Sequence, residues 1–133
     1  MYTVVLGVDQ NDAPARRSAA AVANLPNSHD EVEVFVLYCF TDNPHGGSAT
    51  QVAGVRAAVR ELENEEVTVT VTEDSGDPSD AILNQAEKKQ ADLIVVGSRK
   101  RSPAGKALFG SVTQSVILNS DRPVMVTGEN SSE

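Results

Sequence analysis

Five short apolar runs alternate with four stretches of helical spacing along the whole chain, and that alternation admits few folds. Tyr2–Val8 (YTVVLGV) and Asp92–Val96 (DLIVV) are apolar almost without a break, the pattern of strands covered on both faces. Glu31–Phe40 (EVEVFVLYCF) begins with alternation and becomes continuously apolar, so its second half is expected deeper in the sheet. Val67–Glu73 (VTVTVTE) alternates strictly, with one apolar and one polar face, which suits an edge strand. Arg122–Thr127 (RPVMVT) reads as a last short strand.

The stretches between them have helical spacing. Ala13–Leu25 tolerates Pro14 in its first turn and repeats Ala15, Ala19, Val22 and Leu25 on one face. Ser48–Glu63 carries Val52, Val55, Val59 and Leu62 at spacings of three and four, which predicts a second amphipathic helix. Asp77 as N-cap and Pro78 at the first helical position open a third, through Ile82 and Ala86 to Lys89. Ser111–Asn119 is the fourth. This β-α-β-α-β-α-β-α-β order, with right-handed crossovers, gives an open five-stranded parallel sheet with helices on both faces, an α/β fold of Rossmann-like type. Placing the two most apolar strands side by side in the centre yields the order 3-2-1-4-5. The switch point then lies at the carboxyl ends of strands 1 and 4, where such sheets bind ligands, and those ends carry Asp9 and Gly97.

A chain of 133 residues fits one domain, expected at 1–128, and GENSSE at the end lacks apolar anchors, so 129–133 is expected to fray as a flexible tail. Nothing approaches eighteen consecutive apolar residues, and no basic stretch precedes an apolar core at the N-terminus. Neither a membrane span nor a signal peptide is indicated, and a cytoplasmic location is expected. The single cysteine, Cys39, allows no internal disulfide and has no companion ligands at zinc spacing. His29 and His45 fall in separate predicted loops, with nothing spaced to form a triad or metal site.

Nineteen Asp and Glu against eleven Lys and Arg set the formal net charge at -8, which argues against a nucleic-acid surface, since phosphate backbones need a broad basic face. Acidity with so few lysines resembles proteins of salt-adapted archaea, and an ordinary acidic cytoplasmic protein accounts for it equally well. Against this background, Arg99, Lys100, Arg101 and Lys106 fall within eight positions, between the fourth strand and the last helix. Positive charge concentrated at one strand-to-helix junction of an acidic chain points to an anionic ligand there. Gly97 lets backbone approach such a ligand, Gly110-Ser111 starts a helix whose free N–H groups and dipole favour phosphate, and Ser111 and Thr113 add hydroxyls. Taken singly, each of these residues has a structural explanation; together, at the switch point, they indicate a nucleotide or phosphate.

These residues resemble the universal stress protein family. Its pattern after strand 4, Gly-x2-Gly-x9-Gly-[Ser/Thr], falls here on Gly97, Lys100, Gly110 and Ser111, with the spacing kept and the second glycine replaced by Lys100. VVLGVDQND near the start, GDPSDAILNQAEKKQADLIVVGSR and the closing FGSVTQSVILNSDRPVMV extend the likeness over nearly the whole chain. The resemblance implies an adenine nucleotide alpha hydrolase-like version of the fold and an ATP site over the carboxyl ends of strands 1 and 4, with Mg²⁺ as a companion. It places Val8 and Asp9 beside the ribose and base, and the backbone of Cys39 facing adenine. Gly97, Arg99, Gly110, Ser111, Val112 and Thr113 would then hold the phosphates, while Lys100 either closes the site or adds its charge. It also implies a homodimer joined through strand 5, at Val124, Met125 and Val126.

The function expected is an ATP-binding regulatory or stress-response module with an unknown protein partner. The rivals are a partner-binding protein of the same fold without nucleotide, and a slow ATPase. No Walker A or GxGxxG pattern occurs, and Asp9 is the only acidic candidate at the right sheet edge, so catalysis has little to stand on.

Overall fold

The computed structural model describes residues 1–41, 47–97 and 110–128. Strand β1 (Tyr2–Val8) is followed by α1 (Asp12–Ala23), a four-residue helical turn α2 (Ser28–Glu31) and β2 (Val32–Phe40). A 3₁₀ turn at Ala49–Gln51 leads into α3 (Ala53–Asn64) and β3 (Thr68–Ser75). Helix α4 (Pro78–Lys89), β4 (Leu93–Gly97), α5 (Ser111–Asn119) and β5 (Val124–Thr127) complete the order. Every pairing is parallel, and the strands lie β3-β2-β1-β4-β5, as the apolar patterning requires.

Alternation along the central strands divides the core into two layers. Val4 and Leu6 of β1, Val34 and Val36 of β2 and Val95 of β4 are buried on one face against Ala19 and Val22 of α1 and Val55, Ala58 and Leu62 of α3. Val5, Leu37, Ile94 and Val96 are buried on the other, against Ile82 and Ala86 of α4 and Val116 of α5. Each central strand is therefore apolar on both sides, which is why its run has no polar alternation. At the edge, Val69 and Val71 of β3 lean on the α3 layer while Thr68 and Thr70 stay exposed.

Register is pinned at the amino end, where Asp92 donates its backbone N–H to the Thr3 carbonyl at 2.7 Å. Its carboxylate accepts the Thr3 N–H at 2.9 Å. Asp92, counted above as the opening of strand 4, thus clamps it to β1.

Several boundaries differ from expectation. The helix expected over Ser48–Glu63 is broken at Val52, whose extended backbone (φ -79°, ψ 132°) separates the 3₁₀ turn from α3. A capping box between Ser48 and Gln51 closes the turn locally and offers the backbone an alternative to one continuous helix. Helix α1 stops at Ala23 rather than Leu25, because Asn24 already takes the C-cap. Residues Ser28–Glu31 form the turn α2, so β2 begins at Val32 and not Glu31. Strand β5 begins at Val124: Arg122 instead donates its Nε–H to the Ala91 carbonyl at 2.8 Å and pairs with Glu87 at 3.0 Å. The start of α4 is as read, with the Asp77 carboxylate accepting the Asp80 N–H and Pro78 in the first turn. Among the described residues no helix is long and apolar enough to cross a membrane.

Candidate functional site

The carboxyl ends of β1 and β4 lie side by side. Pairing of Val4 with Leu93, Val5 with Ile94 and Leu6 with Val95, carried two residues further, sets Val8 level with Gly97. Beyond Val8, the turn Asp9–Asn11 is held from several sides. The Asp9 carboxylate accepts the Asn11 N–H at 2.8 Å, closing an Asx turn. Gln10 donates its side-chain amide to the Tyr38 hydroxyl of β2 at 3.3 Å. From below, the α3 backbone approaches so closely at Gly54 that a Cβ there would overlap the Asp9 carbonyl oxygen and lie 3.1 Å from that of Asn11. Gly54 went unremarked in the sequence; the available signal was a glycine inside an otherwise strong amphipathic helix, a place where close backbone approach is a usual reason.

Gly97 ends β4, and α5 begins fourteen positions later with Gly110 as its N-cap. Thr113 joins the two: its buried hydroxyl donates to the Gly97 carbonyl at 2.7 Å. Since a hydroxyl has one hydrogen, Thr113 holds the junction with the group that the sequence offered to phosphate. Ser111 is exposed and Val112 half-buried. The first helical bond of α5 runs from the Gln114 N–H to the Gly110 carbonyl, and among the described residues no side chain caps the N–H groups of Ser111, Val112 and Thr113. Arg99 and Lys100, together with Arg101, Lys106, His45 and the tail 129–133, lie outside the described residues.

Cys39 lies near the end of β2, level with Asp74 of β3, and its thiol donates to the Gly76 carbonyl at 3.4 Å. Burial pushes the thiol's pKa up from 9.0, and the carboxylates of Asp74 and Asp77 push in the same direction, so Cys39 stays protonated. Gly76 takes φ +106° in the turn that brings β3 round to α4, a conformation suited to glycine. Asp77, at the N-cap of α4, has its pKa lowered by the Asp80 N–H and then by the Ser79 hydroxyl.

Val8, Asp9, Gly97, Gly110, Ser111, Val112 and Thr113 therefore come together at one edge of the sheet, and Cys39 lies on the same edge one strand over. The model of the universal stress protein family matches residues 1–128, all but the last five. The chain belongs to the universal stress protein family.

A universal stress protein of Methanocaldococcus jannaschii is 28% identical over 98% of this chain and 84% of its own length. One from Thermus aquaticus is 29% identical over 93% of this chain and 96% of its own. The stress response protein NhaX of Bacillus subtilis is 41% identical over 38% of this chain, and that match spans only 31% of its length. Among solved structures, a universal stress protein from Archaeoglobus fulgidus superposes with TM-score 0.78 at 27% identity, over 96% of this chain and 98% of that one. A universal stress protein in complex with cAMP superposes with TM-score 0.73 at 25% identity, over 96% and 97%. As a family member the chain keeps Gly97, Gly110 and Ser111 and departs from the pattern at Lys100.

Proposed function

We propose that this universal stress protein binds an adenine nucleotide, with ATP and Mg²⁺ as the physiological form, over the carboxyl ends of β1 and β4. It acts there as a regulatory module in a stress response. The observation that carries the reading is the start of α5, where among the described residues no side chain caps the N–H groups of Ser111, Val112 and Thr113 and the N-cap, Gly110, has no side chain to do so. Helix α4, by contrast, satisfies its own first turn through Asp77. The bound cAMP of a relative at 25% identity supports the same ligand class. Phosphate is assigned to the amides of the α5 first turn, the Ser111 hydroxyl, Gly97 and the basic residues Arg99 and Lys100. Ribose and base are assigned to Val8, Asp9 and the backbone at Cys39.

Asp9 has little to offer hydrolysis. One oxygen of its carboxylate is committed to the Asn11 N–H, which suits a contact to ribose better than a base acting on water. We further propose a homodimer paired through β5, whose half-buried Val124, Met125 and Val126 form the open edge of the sheet beyond β4.

Calorimetric titration of ATP, AMP and cAMP, with and without Mg²⁺ and in low and multimolar KCl, tests the ligand. Micromolar binding that disappears in Gly110→Val is the expected result. The second reading, a partner-binding protein without nucleotide, draws on Lys100 in the place of the pattern's second glycine. It predicts that the native chain binds none of the three nucleotides and that Lys100→Gly gains binding.

A further inference from the structure

We infer that Ser18 and Thr127 are positioning residues for the nucleotide site, a hydroxyl relay fixing the carboxyl end of β4 beside the start of α5; this rests on the nucleotide reading above. Ser18, on the buried face of α1, is only 2% exposed, and its Oγ lies 2.6 Å from the Oγ1 of Thr127, the last residue of β5. Thr127 in turn donates to the Val96 carbonyl at 3.5 Å. With its one hydrogen directed there, Thr127 accepts the hydrogen of Ser18. The relay thus runs Ser18 to Thr127 to Val96, and Thr113 takes the next carbonyl, that of Gly97, at 2.7 Å.

The last two carbonyls of β4 are each engaged by a threonine hydroxyl, one from β5 and one from α5. A Cβ on Gly97 would lie 3.6 Å from Ser18 Oγ and 3.8 Å from Thr127 Oγ1, so the hydroxyl pair borders the Gly97 backbone at van der Waals range. Carbonyl oxygens carry partial negative charge, and at the carboxyl edge of a parallel sheet they are poor neighbours for a phosphate. Engaging them within the protein leaves the amide donors at the start of α5 to dominate the local field. Packing alone does not call for this arrangement: alanine and valine would fill the same space with no hydroxyl to satisfy, and replacing both partners of a buried hydrogen bond by apolar groups is close to neutral. A buried and a half-buried hydroxyl meeting across 109 positions beside Gly97 are therefore better explained by the site than by the core.

The test separates folding from binding. The double variant Ser18→Ala/Thr127→Val is expected to keep a thermal midpoint near that of the native chain while its Kd for ATP or AMP weakens about five- to tenfold. Thr127→Ser, which keeps the hydroxyl, is expected to bind as the native chain does. Should the double variant not fold, Thr127→Val against Thr127→Ser makes the same comparison. Native-like affinity in the hydroxyl-free variants overturns the relay and leaves the nucleotide reading standing. Absence of binding by the native chain, titrated first, overturns the nucleotide reading itself and the relay with it.

Discussion

The Thr113 hydroxyl donates to the Gly97 carbonyl at 2.7 Å, so the two ends of the segment that carries Arg99, Lys100, Arg101 and Lys106 are fastened to each other across 16 positions. The bond holds the end of β4 against the start of α5, whose first-turn amides are the proposed phosphate donors. Thr113→Val removes the bond and leaves the Gly97 carbonyl without this donor. We expect about 1 kcal/mol of lost stability by urea denaturation and a weaker nucleotide Kd, with Thr113→Ser restoring both.

Gly54 and Asp9 make the second junction on which the site depends. Gly54→Ala improves helix propensity by about 1 kcal/mol, yet the added Cβ meets the backbone of Asp9, which cannot swing away as a side chain could. The clash is expected to win, with a net loss of about 1–3 kcal/mol in denaturant unfolding. A variant as stable as the native chain would show that the Asp9–Asn11 turn yields readily.

Asp77 makes stability depend on pH through one helix cap. Its folded pKa lies below the ordinary 3.8, because the Asp80 N–H and the Ser79 hydroxyl favour the carboxylate. Its contribution is therefore complete above 3.8 and is lost as pH falls through the lower folded value. Asp77→Ala is expected to be less stable than the native chain at neutral pH, with the gap narrowing in strong acid. A gap that stays constant from pH 7 down to the acid limit would rule out the carboxylate as its source.

Cys39 offers a test of the proposed adenine position. Burial, with Asp74 and Asp77 nearby, raises its pKa, so iodoacetamide should modify it more slowly than a free thiol at pH 8. Saturating ATP is expected to slow the reaction further, as followed by mass spectrometry. Equal rates with and without nucleotide would move the adenine away from β2.

The proposed pairing through β5 is open to a test that leaves the core untouched. Leu118, on the helix leading into β5, is 72% exposed, and Ile117 beside it is 39% exposed. Sedimentation velocity is expected to give twice the chain mass of 14.1 kDa, and Leu118→Glu to shift the population towards single chains. A native chain that sediments as a monomer at micromolar concentration rejects the dimer.

Tyr2–Val8 and Ser111–Asn119 have the bounds their patterns suggest, because a strand apolar on both faces and a short helix opened by Gly-Ser are both encoded in neighbouring residues. Asp77 and Pro78 start α4 for the same local reason. Val52 misled, because it falls in the helical repeat and does pack against the core, but from an extended backbone at a break in the helix. Hydrophobic spacing records that a residue is buried and not the dihedral angles from which it is buried.

Strand order was likewise legible, since the continuity of an apolar run measures how many faces of a strand are covered. That logic also brought Asp9, Gly97 and the start of α5 to one edge of the sheet. What each polar group does there was decided by tertiary contact alone. Thr113 turns inward to Gly97, Ser18 meets Thr127 across 109 positions, and the α3 backbone presses on Asp9 through Gly54. Burial leaves a periodic trace along the chain, because every residue of an element meets the same core. A hydrogen bond between two distant residues leaves none, because nothing in the neighbourhood of either one specifies the other.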